Sequence, residues 1–332
     1  MNPTIIAIEY FLPNIEIDNQ QLEKEFPDWD SKKIEDKVGI KTRHVVQADE
    51  TALDIALKAA DKILKYYNKE LIDFLLFCTE SPDYFLPPNA CLLQDRLKLP
   101  TSIGALDYNL GCSGYIYGLA IAKGLIRAGI AKSILLIMAE TYTKYIHKRD
   151  KSNRTIFGDG AAATIIESFE QSHIGEFVFG TDGSGYENLI VPCGGHRERK
   201  AHYHQEIEDP PGSFRTRQNL YMNGQEIFNF TINNVPRLVE QVLLKNNITI
   251  DQIDCVVFHQ ANKYILNYLR KKMGIPQEKF YINMEQTGNT VSATIPIALK
   301  DCLTNNIIKK GDKVLLVGFG VGYSWGGTVI SI

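Results

Sequence analysis

The sequence predicts an α/β protein of five layers, α/β/α/β/α, built from a duplicated βαβ unit. Three observations carry this. Three blocks recur in the same order along the chain. "IDFLLFCTES" at 72–81 answers "IDCVVFHQAN" at 253–262, "GCSGYIYGLAIAKGLI" from Gly111 answers "GNTVSATIPIALKDCL" from Gly288, and "SILLIMA" at 133–139 answers "KVLLVGF" at 313–319. The strand-like runs are apolar throughout rather than alternating, which suits sheets covered on both faces. The segment after Gly111 carries no charge until Lys123, so its helix is apolar all round, as a helix buried on every side must be.

In chain order, each matched block alternates a strand with a helix, the βαβ pattern. The expected halves are 1–172 and 173–332, one sheet each, with the two matched helices sandwiched between the sheets. Ser113, Gly114, Gly118, Ala120 and Ala122 permit close approach in the first of those helices. Its charges, Lys123 and Arg127, come at the C-terminal end, where the helix dipole favours cations. In the second, Pro296 is expected to kink or delay the helix. Residues 181–225, polar and rich in Gly and Pro, read as a long excursion of the kind that is often functional.

Composition excludes several roles. The chain has 332 residues, 44% hydrophobic and 23% charged, with net charge −3, which offers no bulk attraction to nucleic acid or a membrane surface. The longest apolar runs are too short to span a bilayer, and no N-terminal segment reads as a signal peptide. The six cysteines show no CxxC spacing and mostly sit in apolar elements, as reduced cysteines do. The expected location is the cytoplasm.

The repeat places Cys112, His259 and Asn289 at equivalent positions, the C-terminal ends of strands or the N-terminal ends of buried helices, which is the ligand-binding edge of an α/β sheet. At the head of its helix Cys112 is expected to have a lowered pKa. His259 ends the strand "CVVFH" and can donate a hydrogen bond or accept a proton, while Asn289 offers an amide N–H without charge. A nucleophile, an imidazole and an amide converging on one spot point to acyl transfer through a thioester. The glycine-rich "GFGVGYSWGG" at 318–327 follows the last apolar strand and exposes backbone N–H groups suited to an oxyanion hole. Singly, each feature has a structural alternative: an apolar-context cysteine is usually core, and a glycine run after a strand is usually a turn. Cys193, His196, His202 and His204 have loosely metal-like spacing, better explained by a polar loop, and no metal or cofactor is expected.

Taken together, "GCSGYIYGLA", "TIFGDGAAATII", "MNGQEIF", "HQAN", "GNTVSATIPIAL" and "GFGVGYSWGG" resemble a β-ketoacyl-acyl-carrier-protein synthase III of the thiolase superfamily, over nearly the whole chain. The resemblance implies a thiolase fold, a homodimer, and decarboxylative condensation of an acyl primer with malonyl-acyl-carrier-protein. Cys112 would carry the acyl group, His259 and Asn289 would bind the malonyl thioester carbonyl, and the amides of Cys112 and Gly322 would form the oxyanion hole. Asn rather than Glu at 289 favours decarboxylation over proton abstraction. The motifs also nominate Gln225 and Asn262 as substrate-binding. An acyltransferase passing the Cys112 acyl group to an alcohol or amine is the alternative, and a non-catalytic partner subunit is disfavoured by the intact Cys, His and Asn.

The sequence departs from the family's pattern around the primer. Lys33 and Lys37 stand where an adenine-stacking Trp and an Arg are usual, Arg154 corresponds to the second adenine-side arginine, and Leu86 replaces the aromatic that closes the acyl pocket from the partner subunit. A primer longer than acetyl, on CoA or on the carrier protein, is expected. Docking of an acidic carrier protein would need a local basic patch, for which Lys263 and Arg270, seven residues apart on one helix, are the candidates.

Overall fold

The computed structural model describes residues 2–26, 28–170, 173–200 and 205–332. Ten strands make two five-stranded sheets. They are β1 (Asn2–Phe11), β2 (Phe74–Cys78), β3 (Gly104–Tyr108), β4 (Ser133–Glu140) and β5 (Gly160–Phe169), then β6 (Val178–Thr181), β7 (Cys255–Phe258), β8 (Phe280–Tyr281), β9 (Lys313–Gly320) and β10 (Ser324–Ser331). The first sheet has the order β1-β5-β4-β2-β3 and the second β6-β10-β9-β7-β8, so the duplication expected from three blocks extends to every strand. In both, the three strands at one end run parallel and the remaining pairs are antiparallel.

Besides two short helices at Asn19–Glu25 and Lys151–Arg154, the helices are α1 (Ser31–Val38), α2 (Ala52–Leu64), α3 (Asn89–Leu97), α4 (Gly114–Arg127), α5 (Gly224–Lys245), α6 (Lys263–Lys272) and α7 (Thr294–Thr304). Period-two alternation decides which side of each strand meets which layer. Ile134, Leu136 and Met138 of β4 pack with Val314 and Leu316 of β9 around α4 and α7, in a single central core. Leu135 and Ile137 face the opposite way, onto α2 and α3. Leu315 and Val317 likewise face α5 and α6. Both faces of the central strands β4 and β9 are thus buried, which is why they carry no polar alternation, and each fully buried Leu or Ile there contributes about 1.5–3 kcal/mol.

Two details differ from the sequence reading. Pro296 does not kink α7. A 3₁₀ turn over Val291–Ala293 precedes the helix, and Pro296 falls in its first turn, where the missing N–H leaves no bond unmade. Lys123 does more than complement a dipole: it is buried, its ammonium bonded to the carbonyls of Ile174 and Gly175 and to Glu176, so it ties α4 to the start of the second half. The excursion at 181–225 closes on itself through pairing of Leu189 and Ile190 with Met222 and Tyr221. The first sheet's last strand ends at Phe169 and the second sheet's first begins at Val178.

Candidate active site

Cys112 lies two residues before α4, in a turn buried against the end of β9. Two glycines of β9 make room for it. A Cβ on Gly320 would stand 2.7 Å from the Cys112 Cβ and 2.9 Å from its Sγ, and one on Gly318 would meet the Cys112 carbonyl oxygen at 2.9 Å. The N–H groups directed at the thiol are those of Cys112 and Val321. Gly322, the residue expected to share the oxyanion hole with Cys112, comes one residue later: β9 runs on to Gly320, so that Val321 is the first residue of the turn.

The thiol is pushed well above its usual pKa, by burial and then by the charges of Glu80 and Glu140. This reverses the lowering expected from the helix dipole. Cys112 is outside the first turn of α4, and burial, with the carboxyls of Glu80 just beyond β2 and Glu140 at the end of β4, outweighs the amide groups that favour thiolate. Cys112 therefore rests as the thiol.

His259 follows β7, with its backbone N–H bonded to Val317 O at 2.8 Å. Burial lowers its pKa to about 3, so the ring is neutral. Its Nδ1 lies 2.7 Å from Thr294 Oγ1, and its Nε2 is 3.5 Å from Asn289 Nδ2. Asn289 is held by its backbone, which exchanges bonds with Ile156 O and Gly158 N, and by its Oδ1, which accepts the Val291 N–H at 2.9 Å. That last bond turns the Nδ2–H donors towards His259. Val291 makes it possible by adopting φ +56°, a left-handed conformation that is strained for a β-branched residue. Cys112, Val291 and Phe157 share one apolar cluster, and Phe157 bridges to Asn289, so nucleophile, imidazole and amide meet at one site.

The residues sequence reasoning passed over are Glu80, Glu140 and Thr294. Glu140 is fully buried and accepts from Glu80 N, Ser81 Oγ and Ser292 Oγ. Glu80 accepts from the Tyr142 hydroxyl and is pushed up to about 7 by burial. Among the described residues neither carboxyl has an ion-pair partner. Charged residues inside otherwise apolar strand ends were the available signal.

Sequence models of 3-oxoacyl-acyl-carrier-protein synthase III match residues 106–183 and, for its C-terminal part, 243–332. A β-ketoacyl-acyl-carrier-protein synthase III of Clostridium perfringens is 35% identical, covering 100% of this chain and 99% of that one. A crystal structure of a 3-oxoacyl-acyl-carrier-protein synthase III superposes with TM-score 0.98 at 46% identity, covering all of both chains. A 3-oxoacyl-acyl-carrier-protein synthase from Burkholderia xenovorans follows at TM-score 0.93 and 35% identity, covering 100% of this chain and 94% of that one. The chain belongs to the β-ketoacyl-acyl-carrier-protein synthase III family. Its fold is the thiolase fold.

The peripheral residues of this synthase III are distributed differently from expectation. Gln225 is exposed in the first turn of α5 and bonds Asn229, and Asn262 caps α6 by accepting from Ile265 N; both serve their own helices. Lys33 is exposed beside Asp30, whereas Lys37 shares a surface pocket with Lys263 and Lys271. Arg270 lines a neighbouring surface pocket together with Lys263; it is half-buried and bonds Ile275 O, closing the turn after α6. Arg154 forks onto Glu25 and lies over the Phe26 ring, lining a cavity of ≈ 320 Å³. Leu86 is 81% exposed on a loop with Tyr84 and Phe85. Cys193 is buried and His196 packs on Phe85, while His202 and His204 lie outside the described residues. No group of three or more metal-ligating side chains occurs among the described residues.

Proposed function

We propose that the chain condenses an acyl group, carried as a thioester on Cys112, with malonyl-acyl-carrier-protein, releasing carbon dioxide and a 3-oxoacyl product. The observation that carries this reading is the pairing of a neutral His259 with Asn289 beside the thiol. Decarboxylation leaves an enolate oxygen, which needs hydrogen-bond donors and no competing base. The enolate carbon attacks the Cys112 thioester, the N–H groups of Cys112 and Val321 hold the resulting oxyanion, and the sulfur leaves and recovers a proton. Arg43, Lys144, Lys148 and Arg154 line the ≈ 320 Å³ cavity with no acidic side chain among its described lining, a setting for the phosphates of CoA or of a carrier's phosphopantetheine. Lys37, Lys263 and Lys271 offer a local basic patch to an acidic carrier protein.

A homodimer completes the proposal. Strand β3 is a free edge of the first sheet with Leu106 exposed, and the neighbouring loop presents Tyr84, Phe85 and Leu86 to solvent. Such an edge and apolar loop call for a partner. The free cysteines suit the cytoplasm, and no helix among the described residues is long and apolar enough to cross a membrane.

The test separates the two half-reactions. Cys112→Ala should abolish acyl-enzyme formation, read by intact-protein mass spectrometry. His259→Ala and Asn289→Ala should retain it and lose malonyl decarboxylation by about 10²–10³ in rate. Acylation mapped to another cysteine would refute the assignment, and acyl transfer to an alcohol or amine without carbon dioxide release would favour the transferase alternative.

A further inference from the structure

A second cavity, of ≈ 810 Å³, borders the apolar cluster around Cys112. Tyr142, Tyr145, Leu189 and Val321 line it and also belong to the apolar cluster that holds Cys112. Its charge is the reverse of the first cavity's. The ionisable lining includes the carboxyls of Glu80 and Asp83, and no Lys, Arg or His is among the described lining residues. Asp83 is spent on structure, accepting from the Thr51 hydroxyl, Leu53 N and Asn89 Nδ2. Glu80 is not. Beyond the Tyr142 hydroxyl bond, its carboxyl lies over the Cα of Gly111, where an added Cβ would meet Oε2 at 2.5 Å, next to the nucleophile.

We infer that Glu80 selects the acyl group by charge, admitting acyl chains that end in a neutral hydrogen-bonding group such as a hydroxyl and rejecting those that end in a carboxylate. The inference rests on Cys112 being the acyl carrier. An acyl group on Cys112 that extends into this cavity passes the Glu80 carboxyl, with Asn109 and the tyrosine hydroxyls as further polar partners. A second carboxylate there meets like charge in a partly buried site, where Coulomb repulsion is several-fold stronger than in water. A neutral hydroxyl can donate to the same group. The same repulsion keeps the malonyl unit from loading Cys112 in place of the primer, so that primer and extender are sorted by charge. The loading step itself is a thioester exchange: the Cys112 sulfur bonds the acyl carbon, the CoA sulfur leaves, and the thiol proton passes to it.

Loading of Cys112 is measured at about pH 8 with valeryl-CoA, 4-hydroxybutyryl-CoA and succinyl-CoA, which present similar chains with apolar, hydroxyl and carboxylate ends. The wild type should load 4-hydroxybutyryl at least about tenfold faster than succinyl. Glu80→Gln should bring that ratio to within about twofold, while Glu80→Asp, which keeps the charge, should preserve it. The ratio is internal to each variant, so a general loss of activity does not move it. Equal loading of the two in the wild type overturns the inference, as does an unchanged ratio in Glu80→Gln or a ratio lost equally in Glu80→Asp. Cys112→Ala keeps the two claims apart: loading that survives it refutes the nucleophile, whereas loading abolished by it with a Glu80-independent ratio refutes only the filter.

Discussion

The Thr294 hydroxyl stands 2.7 Å from Nδ1 of His259 and 2.9 Å from the carbonyl of Val291, and its single proton chooses the tautomer of the ring. Donated to Val291 O, it leaves the hydroxyl to accept Nδ1–H, with Nε2 a bare lone pair facing Asn289. Turned onto Nδ1, it leaves Nε2–H free to donate to a thioester oxygen. Val291 O keeps the Thr294 backbone N–H in either case, so the turn leaves no acceptor orphaned. The enolate is served by the second arrangement.

Thr294→Val should therefore slow malonyl decarboxylation about 10- to 100-fold, the cost of leaving a buried ring nitrogen without its partner. Acyl loading should change little, and Thr294→Ser should restore the rate. Release of carbon dioxide from malonyl-carrier substrate checks this; a Thr294→Val enzyme with full decarboxylation would remove the hydroxyl from the mechanism.

Gly320→Ala should displace the nucleophile. Its Cβ would stand 2.7 Å from the Cys112 Cβ, closer than real contacts allow, and both neighbours are backbone-anchored. We expect loading of Cys112 to fall by about 10² or more, because small misplacements at a reacting centre cost that much. Stopped acylation assays read by mass spectrometry measure it.

Two buried groups act on stability in opposite senses. His259 is held down to about 3 against 6.5 when unfolded, so its contribution is lost as pH falls from 6.5 towards 3. Glu80 is pushed up to about 7 against 4.5, so its contribution is present below 4.5 and lost as pH rises through 7. His259→Asn should lessen the acid loss below 6.5. Glu80→Gln should gain stability relative to the wild type as pH rises from 4.5 to 7. Urea midpoints across this window test both signs.

Reversing Lys37, Lys263 and Lys271 to Glu should raise the KM for malonyl-acyl-carrier-protein by about tenfold at low salt, with added salt producing the same effect in the wild type. Reversal of Arg270 should instead lower thermal stability, since it closes a turn. A KM indifferent to the three lysines would place docking elsewhere.

Leu86→Phe should shorten the preferred primer. If the exposed loop enters the partner's acyl cavity, a bulkier side chain overfills it at about 1–3 kcal/mol, roughly ten- to a hundredfold in loading of long chains. Loading rates across chain lengths, with acetyl-CoA as the short reference, decide it.

The sequence by itself determined the layered fold and nominated the three residues at its centre. The duplication, the unbroken apolar strands and the all-round apolar helix are local periodicities, and local periodicity states which faces are buried. Cys112, His259 and Asn289 were legible because each stands at a strand or helix end within that repeat. Tertiary structure alone decided the protonation of Cys112, since packing buries the thiol and brings Glu80 and Glu140 near it from two other strands, and both desolvation and electrostatic energy depend on what is close in space rather than in sequence. It decided that Val321, one residue before Gly322, faces the thiol, because the end of β9 sets the register. It also showed Asn262 and Gln225 bonded within their own helices, and it divided the two cavities into one cationic and one acidic. Lining residues gathered from distant segments acquire a common charge only when the chain is folded.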